Sequence, residues 1–297
     1  MVEQLFSTEG LSSLYDPHSI YYLFAVVAVL YVGKKVNDWF TPYDLDEELT
    51  EKDNKAVALS LAGYLFGLAI ILWSVLTSES TVEETESVWR DIGVDLVNTV
   101  IWGAIGIALL QVARILNDKV LLYRFSNVKE LAEDRNVGTG AVQCGAYIGS
   151  ALMVAAALSG EGGYGFGGEL VLTVLYFAAG QVAFIVFGFV YQLATRYDLH
   201  DEIEKDNVAA GVSFGMTLVA VGVLLSEYLI LYDSLLGLAV WFLMSTVFLI
   251  GFRFIVDKVI LPGSSLDSEI SRDRNWGAAL IEGSCAIGLA FLLTASF

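Results

Sequence analysis

Eight apolar stretches alternate with short polar linkers along the chain, at roughly residues 20–40, 56–77, 92–116, 137–158, 169–195, 208–226, 234–256 and 276–296. A run of about 20 apolar residues crosses the hydrocarbon core of a bilayer as a helix, the one open-ended structure that satisfies its own backbone groups there. The pattern predicts an all-α, polytopic integral membrane protein with eight transmembrane helices. Four linkers turn on one short signature: Lys52-Asp53-Asn54, Asp134-Arg135-Asn136, Lys205-Asp206-Asn207 and Asp273-Arg274-Asn275. Each joins an odd-numbered span to the next, so the spans pair into four hairpins.

The hairpins repeat at a longer period. Arg114, Asp118, Lys119, Asp134, Arg135, Asn136 and Gly138 recur as Arg253, Asp257, Lys258, Asp273, Arg274, Asn275 and Gly277. Tyr43-Asp44-Leu45 and Glu51 to Asn54 likewise recur as Tyr197-Asp198-Leu199 and Glu204 to Asn207. The chain therefore reads as a tandem pair of four-helix units. An even number of spans per unit makes both units face the same way, so the two repeats are parallel and their pseudo-axis is normal to the membrane. The organisation expected is an outer N-terminal segment (1–19), a first repeat (20–158), a Gly-rich outer linker (159–168) and a second repeat (169–297).

Composition agrees with lipid as the solvent. Of 297 residues 56% are apolar and 17% charged, with a mean hydropathy of +0.64. That leaves too little polar surface to cover a soluble globule of this size. The start, Met1 to Pro17, carries Glu3, Glu9 and Asp16 and no basic region, unlike a signal peptide.

Charge sets an expected orientation. Of 16 Lys and Arg, all but Arg90 lie at or inside the signature linkers. The positive-inside rule then makes those linkers cytoplasmic and both termini outer. The net charge of −18 and a pI near 4.3 point to a halophile, where the Debye length falls to about 3 Å at 1 M salt. A cation-attracting outer vestibule in a mesophile is the competing explanation. Either surface repels nucleic acid, which is not an expected partner; membrane lipid is.

The pattern Thr41-Pro42-Tyr43-Asp44, a short acidic linker, Asp53-Asn54 and the Ala/Gly-rich helix Ala56 to Gly63 resembles the small four-span membrane proteins grouped as domain of unknown function 350. The resemblance covers nearly the whole chain as two copies. It implies the membrane fold and no agreed activity. The second copy departs at Arg196, where the first has Pro42, and at Gln192, where the first has Asp38, which puts a role for that acidic position in doubt.

Each signature Asn (Asn54, Asn136, Asn207, Asn275) precedes an apolar span and is placed to cap it. Small residues follow at matched depth: Gly63 and Gly67, Gly145 and Gly149, and Ser284 and Gly288, while span 6 shifts the pair to Gly211 and Gly215. Such faces let helices approach closely, inside the bundle or between copies of a homo-oligomer.

Polar groups inside the spans are the functional lead, because a charge in hydrocarbon costs several kcal/mol unless paired or wetted. Glu282 lies about 10 Å beyond Asn275 at 1.5 Å per residue. Arg253 is its natural counter-charge, and Arg114 with Gln143 would make the matching pair in the first repeat. Asp95, with Asn98, Gln111, Gln181 and Gln192, is a further candidate lining of a wet cavity. His18 and His200 are isolated, and Cys144 and Cys285 read as packing residues, so no metal or cofactor is expected. The chain carries no HExxH, Gly-x-Ser-x-Gly or phosphate-loop pattern, and no enzyme is expected. Two functions stay open: a pathway for a small cation or proton with Glu282 near its constriction, or a non-conducting scaffold that oligomerises and docks a soluble protein on its acidic linkers.

Overall fold

The computed structural model describes residues 19–78, 88–159, 164–232 and 234–296. The N-terminal segment and the centre of the Gly-rich linker, both expected on the outer side, lie outside the described residues. Among the described residues twelve α-helices follow in order: α1 (Ser19–Phe40), α2 (Leu45–Thr50), α3 (Lys55–Thr77), α4 (Val88–Leu116), α5 (Asn127–Ala132), α6 (Val137–Leu158), α7 (Gly165–Ala194), α8 (Leu199–Glu204), α9 (Val208–Leu231), α10 (Leu235–Ile255), α11 (Leu266–Ser271) and α12 (Trp276–Thr294). Eight are long and apolar enough to cross a membrane. The other four are one-turn helices inside the signature linkers.

The third and seventh spans differ from the sequence pattern at their linker ends. Helices α4 and α10 each run on into a π-helical turn, Asn117–Leu121 and Val256–Ile260. The wider turn extends both spans to Leu121 and Ile260 and rotates Asp118 and Asp257 relative to a continued α-helix. Hydropathy alone ends these spans near residue 116 and residue 256, because Asp and Lys follow immediately. Helix α9 also runs past the expected 226 to Leu231, and α7 begins at Gly165.

The signature is a turn-and-cap device. Its middle residue takes a left-handed backbone, with φ of 49° at Asp53, 53° at Arg135, 54° at Asp206 and 49° at Arg274. A left-handed residue stops the one-turn helix and redirects the chain. The Asn that follows caps the next long helix: its Oδ1 accepts from Ala56 and Val57 N–H (Asn54), Thr139 (Asn136), Ala209 and Ala210 (Asn207), and Gly277 and Ala278 (Asn275). Its Nδ2 donates back to a glutamate in the preceding one-turn helix, at 2.7 Å to Glu48 and 2.8 Å to Glu130, Glu202 and Glu269.

The same Nδ2 also ties neighbouring hairpins together. Asn54 donates to the Leu131 carbonyl (2.8 Å), Asn136 to Ile203 (2.6 Å) and Asn207 to Ile270 (2.8 Å). These bonds gather all four linkers at one end of the molecule, so the second helix of every hairpin runs the same way. Helices α3, α6, α9 and α12 stand side by side in a row, with α1, α4, α7 and α10 packed along it. The row is close-packed because glycine removes the side chain at the crossings. A Cβ at Gly145 would overlap the Gly215 carbonyl oxygen, and one at Gly63 would overlap Cys144 Cα. Buried Tyr64, Leu68, Phe187, Tyr191 and Phe214 fill the space between rows, while Trp39, Trp73, Leu193, Leu236 and Leu292 face outward, as lipid contact requires.

Candidate functional site

The most polar place inside the spans of the second repeat assembles on four helices and one linker. Glu282 on α12 and Arg253 on α10 are 3% and 8% exposed. Arg253 Nε donates to Glu282 Oε1 at 2.7 Å, and its Nη2 donates to Asp267 Oδ1 on α11 at 2.8 Å. Ser213 on α9 donates a short hydrogen bond to Glu282 Oε2, and the Tyr191 hydroxyl on α7 donates to Oε1 at 3.3 Å. The Arg253 guanidinium also lies 5.7 Å from the Tyr191 ring centroid, within cation–π range.

A narrow pocket lies alongside and is lined by Glu282, Arg253, Tyr191, Thr217 and apolar side chains of α7, α10 and α12. Asp267 leads from the site to the linker surface, where Arg196 Nε comes within 4.0 Å of it. In the opposite direction the polar trail ends at Thr217, whose hydroxyl donates to the Ser213 carbonyl. Two carboxylates flank the Arg253 guanidinium, and Asp267 is also approached by Arg196, so Glu282 is the fully buried carboxylate of the cluster and shares its counter-charge.

The first repeat is built differently at the same place. Gln143 does not meet Arg114: its Nε2 donates to Asp118 Oδ1 at 2.8 Å, and its Oε1 accepts from Ser60 at 2.6 Å. The expected Arg114–Gln143 pair fails because a neutral amide offers no charge to the guanidinium, and the π-helical turn brings Asp118 within its reach. Asn127 donates to the same Asp118 oxygen. Arg114 Nη2 donates instead to the Phe40 carbonyl at 2.7 Å. Its Nε and Nη1, both side-chain polar atoms of Asn117, and the Tyr147 hydroxyl are buried without a partner among the described residues. Arg114, Asn117, Gln143 and Tyr147 line one small pocket.

The remaining candidates fall apart from these centres. Asp95 sits toward the opposite end of α4 and accepts from the Tyr22 hydroxyl at 2.9 Å; it does not join the buried cluster. Gln111 donates to Asn37, and Gln181 to Ser150. Gln192 takes over the work of Asp38: each accepts the first N–H of the following one-turn helix, Leu199 at 2.7 Å and Leu45 at 2.9 Å. An amide oxygen serves as well as a carboxylate there, so the departure at Gln192 leaves the linker intact. Gly63, Gly67, Gly145, Gly149, Gly211 and Gly215 all meet a neighbouring helix, whereas Gly288 meets nothing within 4 Å and Ser284 is exposed. Among the described residues, no three His, Cys, Asp or Glu converge as metal ligands.

Sequence reasoning missed Ser213, Tyr191 and Asp267, which are distant in the chain; Ser213 alone has a repeat counterpart, Ser60, six places after its signature Asn. It also missed the four cap-binding glutamates. A glutamate five or six positions before every signature Asn was the available sign.

Domain of unknown function 350 matches the chain twice, over residues 6–158 and 166–297. The chain belongs to this family. The two family matches coincide with the two four-helix repeats, so the protein is a tandem duplication of the family unit. It is 22% identical over 264 residues to a UPF0719 transmembrane protein of Aquifex aeolicus, across 86% of this chain and 91% of that one. It is 27% identical over 127 residues to the UPF0719 transmembrane protein YshE of Bacillus subtilis, across 43% of this chain and 93% of that one. The Bacillus family member is thus about the size of one repeat. No solved structure matches the chain.

Proposed function

We propose that this multi-pass membrane protein handles a proton or small cation at the Arg253–Glu282 site, entered from the linker side through Asp267. The observation that carries the reading is a carboxylate buried in the bundle with a shared counter-charge. Glu282, 3% exposed, shares Arg253 with Asp267, which lies at the linker beside Arg196, and a buried carboxylate only partly compensated is costly enough to recruit a cation or proton. The acidic surface raises the local concentration of cations around the protein, and a net charge of −18 is consistent with life in concentrated salt.

The test is ion or proton flux into proteoliposomes of defined lipid, driven by a pH or salt gradient. Glu282→Gln removes the buried carboxylate and is expected to abolish flux, while Asp95→Asn, remote from the site, leaves it unchanged. Equal flux from wild type, Glu282→Gln and empty liposomes would overturn the proposal. The orientation proposed with it, linkers cytoplasmic, is read by labelling of a cysteine at Lys129 with membrane-impermeant maleimide, which is expected to need permeabilised cells.

A second reading rests on the linkers themselves. Asp44, Asp46, Glu47 and Glu51, and Asp201, Glu204 and Asp206, are exposed and offer a docking surface for a basic segment of a soluble protein. Neutralising the linkers 43–53 and 198–206 would then release a co-purifying partner and leave flux untouched.

A further inference from the structure

The row of second helices is a linear array with two unfinished ends. At each of its three internal junctions one hairpin contacts the next in a single fixed register. The residue nine places after one signature Asn meets the residue eight places after the following one: Gly63 against Cys144, Gly145 against Gly215, and Met216 against Gly283. At the linker end of each junction, the Asn amide bonds a carbonyl in the next hairpin's one-turn helix.

At the front end, on α12, every element of this contact is present and unused. Among the described residues Asn275 Nδ2 donates only to Glu269 of its own hairpin, at 2.8 Å. Gly277 meets only its own Asn275 side chain, whereas its counterpart Gly138 touches the Asn207 carbonyl of the next hairpin. Ser284, the ninth residue, is exposed, and Gly288 is in open space. At the back end, on α3, the matching acceptor is the Leu49 carbonyl, which receives no such bond. Ala58 and Ala62 stand where α6 has Gly140 and Cys144, and both are exposed small residues.

We infer that copies of this chain join front to back, the Ser284/Gly288 face of α12 in one seating on the Ala58/Ala62 face of α3 in the next, with Asn275 bonded to the Leu49 carbonyl. The contact continues the internal junction in the same register, pairing Ser284 with Ala62. It is heterologous, so the assembly closes into a ring or runs on as a row in the membrane plane. The Bacillus relative supports the same geometry, because a chain of one repeat can make the α6–α9 junction only between molecules. Small residues at both ends permit close backbone approach, which drives association in lipid where no hydrophobic effect operates between helices.

The test is disulfide trapping in native membranes. Full-length Ser284→Cys and Ala62→Cys chains, each also carrying Cys144→Ala and Cys285→Ala and a different tag, are coexpressed and oxidised. A mixed-tag dimer is expected on coexpression and none from either variant alone; both substitutions in one chain should give a ladder of multimers. Asn275→Ala is expected to lower the mixed-dimer yield about fivefold, the equivalent of one hydrogen bond, and Ser284→Trp to abolish it. As an independent reading, fluorescently tagged wild-type chains in liposomes should bleach in several steps and Ser284→Trp chains in one. Single-step bleaching of wild type, with no mixed dimer, would show lipid covering both ends and overturn the inference; so would Ser284→Cys chains that trap only with themselves, which marks a symmetric contact.

Discussion

Arg253 Nε stands 2.7 Å from Glu282 Oε1, both side chains nearly sealed from solvent. Removing one partner of such a pair leaves a buried charge alone, which costs about 3–5 kcal/mol, whereas apolar replacement of both is close to neutral. Arg253→Met is therefore expected to lower the unfolding temperature sharply, and Arg253→Met with Glu282→Leu to recover most of the loss. Scanning calorimetry of the purified protein in detergent checks this; equal damage from single and double variants would remove the pair from the stability account.

The four signature asparagines are alike in sequence and unequal in the fold. Asn136 caps α6, binds Glu130 and crosses to Ile203 in full burial. Asn275 caps α12 and binds Glu269 at an exposed edge. A lost cap costs about 1 kcal/mol, and a stranded buried acceptor adds about 1–3 kcal/mol. Asn136→Ala should thus destabilise by about 2–4 kcal/mol and Asn275→Ala by about 1 kcal/mol in detergent-solubilised protein, read from denaturant midpoints.

A methyl group separates the packed glycines from the open one. A Cβ at Gly145 would overlap the Gly215 carbonyl, while Gly288 faces nothing within 4 Å. Overpacking against backbone costs at least about 1–3 kcal/mol, so Gly145→Ala is expected to depress the unfolding temperature strongly. Gly288→Ala should leave it unchanged or raise it, because alanine is the better helix former.

His200 gives the linkers a titratable element. Burial pushes its imidazole below the usual 6.5, with the Leu121 carbonyl opposing and Arg124 adding to the shift, while Asp198 and Asp201 act the other way. Its Nε2–H donates to the Leu121 carbonyl at 2.9 Å. A depressed histidine favours the neutral folded form, so stability is full above about pH 6.5 and falls as pH drops from there through the lower folded value. His200→Gln should flatten that part of the curve. Unfolding temperatures between pH 7.5 and 5 are the measurement.

Much of this architecture could be read from the chain. Spans show as apolar runs because lipid imposes that composition, and the caps show because Asn beside a helix start has one common use. The cross-links between hairpins were invisible: Leu131, Ile203 and Ile270 act through their carbonyls, which any residue supplies. Arg253 and Glu282 could be paired from charge and depth alone. Arg114 and Gln143 could not, since the π-helical turn after α4 places Asp118 within reach of the amide, and nothing in hydropathy reports a π turn.

Gln143 occupies in the first repeat the place that Glu282 holds in the second. In an assembly of identical single-repeat chains every subunit would carry the acid or none would. Fusing two units into one polypeptide breaks that symmetry, so a ring or row of these chains presents the helix-borne acid of Glu282 at every second repeat, alternating with the amide of Gln143.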